Sequence, residues 1–389
     1  MKNQADQLIR LLKNPEDASI IGGLRDWDLL VRQARAVGLL GRLYVLIRNA
    51  GWIEQVPECA ERHLRWGYRV ACRHRELVTL EVENIAISLQ SQKTPLILLK
   101  GAAYCYAGFE KLEGRLFSDI DILVEKKELP EVEKCLEREG WLSTHLSPYD
   151  QHYYRQWMHE IPPLKHGLRQ TELDVHHAIL PETSRFPSPP SLLFENRILL
   201  SGDSHVYRLD DVDLILHSAS HLFFDGEFKH GLRDLEDIRS LLNTFVDSSG
   251  QWEKLLARAK ELGLSNPGYY ALMFCKLWLG SEVPDTVLTE MRLAAGIGRI
   301  KNVWMKSLFQ QALKPIHPSC EGRLNGFARY LLYVRSHYLR MPLRLLIPHL
   351  LIKAVLPFFD RVKKMGKQKQ KNGILQLLEE KAQAAKELR

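Results

Sequence analysis

The sequence predicts an α+β protein in which a small mixed sheet domain is flanked by helical regions on both sides. Three observations carry this. Apolar residues recur at helical spacing before residue 92 and again beyond 186, a strand–helix–strand–helix alternation begins near Pro95, and two aspartates stand inside an apolar strand-like run. The expected organisation is a helical region over 1–92, an α/β core over 93–185, a helical region over 186–300 that packs on the core, and an apolar and basic helical region with a tail over 301–389.

In the first region, "DWDLLVRQARAVGLLGRLYVLIRNAG" and "HRELVTLEVENIAISLQ" space their apolar residues three and four apart. The core opens with "LILLK" after Pro95, continues through a helix-like "AAYCYAGF" and the strand-like "DIDILV", and reaches the charged helix "KKELPEVEKCLEREG", which stops at Gly140. Between 141 and 180, "WLSTHL", "HYYRQWMHE" and "ELDVHHAI" read as strands separated by turn-rich pieces such as "PPLKHG". The Pro/Ser-rich "PETSRFPSPPS" closes the core, and the chain from about 191 to 360 reads as helical.

An internal echo appears when Trp27 is laid on Trp252. "DWDLLVRQARAVGL" and "QWEKLLARAKELGL" share the Trp, a Leu three residues on, an Ala seven on and Gly-Leu eleven on, and a Val-Pro follows each. Two helices of similar composition, or one repeated helical unit, would account for it equally.

A length of 389 residues, with 45% hydrophobic and 26% charged residues, describes a folded globular protein and excludes general disorder. The net charge of +7 favours anionic partners such as nucleotides, nucleic acid or an acidic membrane surface. Six dispersed cysteines without a CxxC pair fit reduced thiols, and the polar N-terminus has no signal-peptide pattern, so a cytoplasmic location is expected. The segment "MPLRLLIPHLLIKAVLPFF" is apolar, but three prolines and two basic residues interrupt it too often for a spanning helix. The basic run "DRVKKMGKQKQKNG" follows. It reads as a solvated tail or, with the apolar segment before it, as a peripheral contact through 341–371 with the inner face of a membrane.

The chemistry concentrates in "LLKGAAYCYAGFEKLEGRLFSDIDILV", residues 98–124. On a strand, residues two apart share a face, so Asp119 and Asp121 present their carboxylates together while Ile120 and Ile122 face the core. Paired like charges there call for a cation. Mg2+ (or Mn2+) takes a few carboxylate oxygens and leaves positions for phosphate oxygens. Asp174, in the strand-like "ELDVHHAI", is the candidate third carboxylate of a two-metal site. Gly101, at a strand-to-helix junction, would let backbone approach a phosphate, and Lys100 and Arg115 would add positive charge. His176 should share the face of Asp174 and border the metal or phosphates, whereas His177 should point away. His217 and His221 read as packing residues, and "HGLRDLEDIRSLL" as a solvated helix face docked on the core.

With those residues in place, the chain resembles the bacterial nucleotidyltransferase-like family of the polymerase-β-type nucleotidyltransferase superfamily. The likeness rests on Lys-Gly, Arg-x-x-x-Asp-x-Asp and a later Asp-x-His, and runs from the Trp27 helix through "LILHSASHLFFDGEFKHGLRDLEDIRSLL" to "GSEVP" near 280. It implies a polymerase-β-type sheet, with Asp119 and Asp121 on the catalytic metals and Asp174 assisting metal binding or deprotonating the acceptor. Gly101 matches the first position of the superfamily's Gly-Ser phosphate-binding step. Ala102 stands where serine or glycine is usual, and the lost hydroxyl would remove a contact of about 1 kcal/mol. The implied activity is transfer of an NMP group from an NTP such as ATP to a small molecule, protein or RNA. The alternative is a catalytically weak or inactive nucleotide-binding module attached to a membrane surface or a partner.

Overall fold

In the N-terminal region the helical periodicity becomes α1 (Asp6–Lys13), α2 (Ala18–Gly22), α3 (Trp27–Ala36), α4 (Leu40–Asn49) and the long α5 (Glu58–Leu89). The computed structural model describes residues 6–92, 94–144, 147–186, 188–201, 205–350 and 352. Strand β1 (Leu96–Leu98), helix α6 (Lys100–Tyr106), strand β2 (Ile120–Leu123) and helix α7 (Leu129–Arg138) follow in the expected alternation.

The next stretch departs from expectation. β3 (Trp141–Ser143) is a strand, but "HYYRQW" belongs to helix α8 (Pro148–Trp157). Ser147 caps that helix by accepting from the Asp150 amide, and Pro148 sits in the first turn. The cap and the proline outweigh the strand preference of the tyrosines. A short strand, β4 (Leu164–His166), occupies the piece read as a turn, and β5 (Glu172–His176) is the expected Asp174 strand.

Beyond the proline-rich segment come α9 (Ser191–Glu195) and two strands the sequence did not signal, β6 (Ile198–Ser201) and β7 (Val206–Arg208). Runs of three or four apolar residues have no period that separates strand from helix. The sheet runs β3-β4-β5-β2-β1-β7-β6. Pairings β1–β7 and β2–β5 are parallel, and β1–β2, β3–β4, β4–β5 and β6–β7 are antiparallel. The mixed sheet therefore extends past residue 185, because β7 pairs directly with β1.

Helices α10 (Asp211–Phe224), α11 (Gly231–Phe245), α12 (Ser249–Glu261), α13 (Ser265–Leu279), α14 (Asp285–Ala294), α15 (Arg299–Ala312) and α16 (Arg323–Arg340) complete the described order. The fold is thus α+β, a mixed sheet with helices flanking it. α10 and α13 bury most of their residues and share one hydrophobic core with β1, β2, β5 and α3–α5. Residues 1–340 form one unit and 341–389 a second. Among the described residues no helix is long and apolar enough to cross a membrane.

The two echoed segments adopt the same succession of elements. α3 and α12 each end on a left-handed glycine, Gly38 (φ 74) and Gly263 (φ 67). After it Leu39 donates to the Ala34 carbonyl, and Leu264 to the Ala259 carbonyl, both at 2.8 Å. This is the six-to-one bond of a helix stop that needs positive φ. A second helix begins at once, α4 or α13, and Val-Pro then precedes a third, α5 or α14.

Candidate functional site

β2 and β5 lie side by side in parallel register with Asp121 opposite Asp174 and Leu123 opposite His176. Alternation puts Asp119, Asp121, Asp174 and His176 on one face of the sheet, while Ile120, Ile122 and Val175 are buried on the other. Carboxylate oxygens of Asp119, Asp121 and Asp174 come within 4.8 Å of one another. Burial, followed by the charges of Asp121 and Glu160, pushes the Asp174 carboxyl up to about 7. Like charges gathered this closely form a site that a divalent cation would relieve, and oxygen donors suit Mg2+ or Mn2+. The donor set therefore fits the metal the sequence called for.

Asp121 is held from two sides. Lys100 Nζ donates to its Oδ1 at 2.9 Å, and His176 Nε2 lies 3.0 Å from the same oxygen. Burial alone would raise the Asp121 carboxyl, but Lys100 and His176 keep it well below the ordinary carboxylate range. Burial likewise works against the Lys100 ammonium, and Asp121 and Asp119 overcome it and raise its value. Lys100 is one of three non-glycine residues with positive φ (42°) among the described residues. The left-handed turn sits where β1 gives way to α6, a strained placement for a side chain that faces a ligand cavity.

Gly101 has a reason different from the expected one. A Cβ on it would lie 2.5 Å from Arg115 Nη1 and 3.0 Å from Phe117 Cδ1, so the missing side chain makes room for the Arg115 guanidinium. Arg115 Nε donates to Asp237 Oδ2 at 2.6 Å, and its guanidinium sits over the rings of Tyr104 and Phe117. Arg115 is thus a buried ion-pair partner that also borders the cavity. Ala102 is buried inside α6 and is not among the cavity-lining residues, and His176 is buried behind Asp121, with Nδ1 3.5 Å from Glu160 Oε2. Neither presents the phosphate-facing side chain expected from sequence. In both cases the sheet and helix packing turns the residue inward.

The cavity beside these residues has a volume of about 470 Å3, within the range of small-ligand sites. One wall is Lys100, Gly101, Asp119, Asp121 and Glu172. The opposite wall comes from α10, α11 and the loop between them: Ser218, His221, Glu227, Lys229, His230, Arg233, Asp234 and Asp237. A hollow of similar size, about 490 Å3, lies by Lys126, His177 and Phe194 and touches none of the three aspartates. His177 does point away from the site, as expected.

The α10–α11 wall corrects two sequence expectations. "HGLRDLEDIR" is no solvated face: Leu232, Leu235, Glu236, Asp237 and Arg239 are buried, and Asp237 holds Arg115. His221 lines the cavity, whereas His217 is buried as a packing residue. The charge spacing at Arg233, Asp234 and Asp237 was visible, but nothing local identified the partner 122 residues earlier.

No curated protein and no solved structure matches the chain. A family model described as uncharacterised nucleotidyltransferase matches residues 24–280, which include the whole seven-stranded sheet, the three aspartates and both cavity walls. By that match the chain belongs to this nucleotidyltransferase family.

Proposed function

We propose that the protein transfers an NMP group from an NTP to an acceptor hydroxyl or similar nucleophile, breaking the α–β phosphoanhydride bond and releasing pyrophosphate, using divalent metal ions held by Asp119, Asp121 and Asp174. The observation that carries this reading is the meeting of three carboxylates on or just before two adjacent parallel strands, two of which, Asp119 and Asp121, line a cavity. Bound divalent ions would supply charge neutralisation for the phosphates and an acidified acceptor.

The chain's own residues divide the remaining work. Asp119 and Asp121 would hold the ions, and Asp121 is kept ionised by Lys100 and His176. Asp174, with a carboxyl near neutrality before any cation binds, is placed to hold an ion or to take the acceptor's proton. Lys100 on one wall and Lys229 and Arg233 on the other are the cations placed to meet a triphosphate, although Arg233 also pairs with Asp234 and acidic residues outnumber basic ones in the lining, so the phosphates would rely on the bound ions for neutralisation. Arg115 positions the start of α6 through Gly101 and fixes the opposite wall through Asp237. Since nucleotidyl transfer is mostly alignment and neutralisation of charge, this set suffices without a covalent intermediate.

The test is incubation of the protein with each α-labelled NTP, Mg2+ or Mn2+, and cell extract, beside an Asp119→Ala/Asp121→Ala variant. Label carried to a small molecule, protein or RNA by the wild type alone supports transfer. Nucleotide binding without transfer under either metal overturns it in favour of a binding module.

A further inference from the structure

Helix α16 is apolar on the side where a surface helix should be polar. Its core side is Asn325, Ala328, Leu332, Ser336 and Leu339, all buried. Its outer side is Leu324, Phe327, Tyr330, Tyr333, Val334 and Tyr338, with Phe327 58% and Tyr330 62% exposed. α15, which packs against α16, repeats the arrangement: Met305, Phe309 and Ala312 face inward, and Ile300, Val303 and Trp304 face out. Of the 23 large apolar residues exposed among the described residues, 15 lie at or beyond Leu293. A contiguous apolar face on a surface helix is ordinarily covered by something.

Charge identifies the cover. From 291 to 359 the chain has eleven basic residues and one acidic residue, Glu321. Glu321 pairs with Arg329, and Arg335 and Arg340 turn inward to the Phe223 carbonyl and Asp225. The charges left on α15 and α16 are then Arg299, Lys301, Lys306 and Arg323, all basic, with Lys306 half-exposed and the others exposed. Further along, residues 360–371 add six basic residues against Asp360. Aromatic and aliphatic side chains on two helices whose unpaired charges are all basic match the interface of an anionic bilayer, where Trp and Tyr settle at headgroup level and each basic residue adds attraction.

We infer that the outer face of α15 and α16 docks on an anionic phospholipid surface. This inference stands apart from the transfer chemistry, and its test reads no catalysis. The full chain is sedimented with vesicles of phosphatidylglycerol and phosphatidylcholine, with vesicles of phosphatidylcholine alone, and at high salt. A Trp304→Ser/Phe327→Ser/Tyr330→Ser variant is compared; all three side chains are exposed, and thermal melting verifies its fold. Expected results are binding to the anionic vesicles only, weakening with salt, and at least about a ten-fold loss of partitioning in the variant. Trp304 should also be quenched by brominated lipid, with the difference lost in Trp304→Phe. Equal sedimentation of wild type and variant, which would assign any binding to another segment, overturns the proposal. So does a wild type that ignores vesicles but dimerises through this face, shown by light scattering as a dimer that the variant converts to a monomer.

Discussion

Replacing Asp174 by asparagine should stabilise the divalent-free protein at about pH 8. Burial, then the Asp121 and Glu160 charges, raise the Asp174 carboxyl from its ordinary 3.8 to about 7. A carboxyl raised on folding carries no cost below its unfolded value, an increasing cost between the two values, and the full cost above the folded one. A rise of this size corresponds to about 4 kcal/mol above pH 7. Asparagine removes the repulsion but leaves a half-buried amide that needs partners, which returns about 1–3 kcal/mol. The net gain expected at about pH 8 is therefore about 1–3 kcal/mol, turning into a loss of about 1–2 kcal/mol near pH 4, where the repulsion is nearly gone and the cost of the amide remains. The assay is urea denaturation in EDTA across that range for wild type and Asp174→Asn, followed by repetition with Mg2+, which should favour the wild type and narrow or reverse the gap. A variant less stable than wild type at pH 8 by as much as at pH 4 would refute the claim that crowded negative charge defines this site.

Two further outcomes follow from the brace around Arg115. Gly101→Ala places a methyl 2.5 Å from Arg115 Nη1. The guanidinium cannot retreat while Asp237 and two rings hold it, so thermal unfolding should show a loss of about 1–3 kcal/mol, and a neutral result would mean that Arg115 moves freely. Arg115→Ala strands Asp237, which burial and Asp234 already help push up to about 6, and should cost about 3–5 kcal/mol in denaturant melts. A much smaller loss would show that water reaches Asp237.

The parts of the site that were legible in the sequence are those whose geometry is local. Two aspartates one residue apart, with isoleucines between and after them, already state which face each side chain takes, and β2 keeps that alternation. Asp174 was legible for the same reason, since β5 repeats the pattern of an acid among apolar neighbours. The companions of Asp121 were harder. His176 appeared as a neighbour of Asp174, but only the parallel register of β2 and β5 brings its Nε2 to Asp121.

Long-range pairing hid the rest. Arg233, Asp234 and Asp237 have the spacing of a solvated helix face, but Asp237 is buried against Arg115, far away in sequence, and Arg233 and Asp234 pair with each other at the cavity wall. β7 is only three residues long, and it is a strand because β1 offers it an open parallel edge. In α8, by contrast, the helix signal is local: Ser147-Pro148 starts the helix, against the strand preference of the tyrosines and tryptophan that follow. The internal echo was legible as composition. Its meaning as a repeated helix–glycine–helix unit required the left-handed Gly38 and Gly263.

The most direct measurement is calorimetric titration of the protein with Mn2+ in the presence of a non-hydrolysable NTP analogue, for wild type and for Asp119→Ala/Asp121→Ala. Saturable uptake by the wild type that disappears in the double variant is the predicted result. A wild type that takes up no ion, or a variant that takes it up equally well, would contradict the assignment of these aspartates as the metal centre.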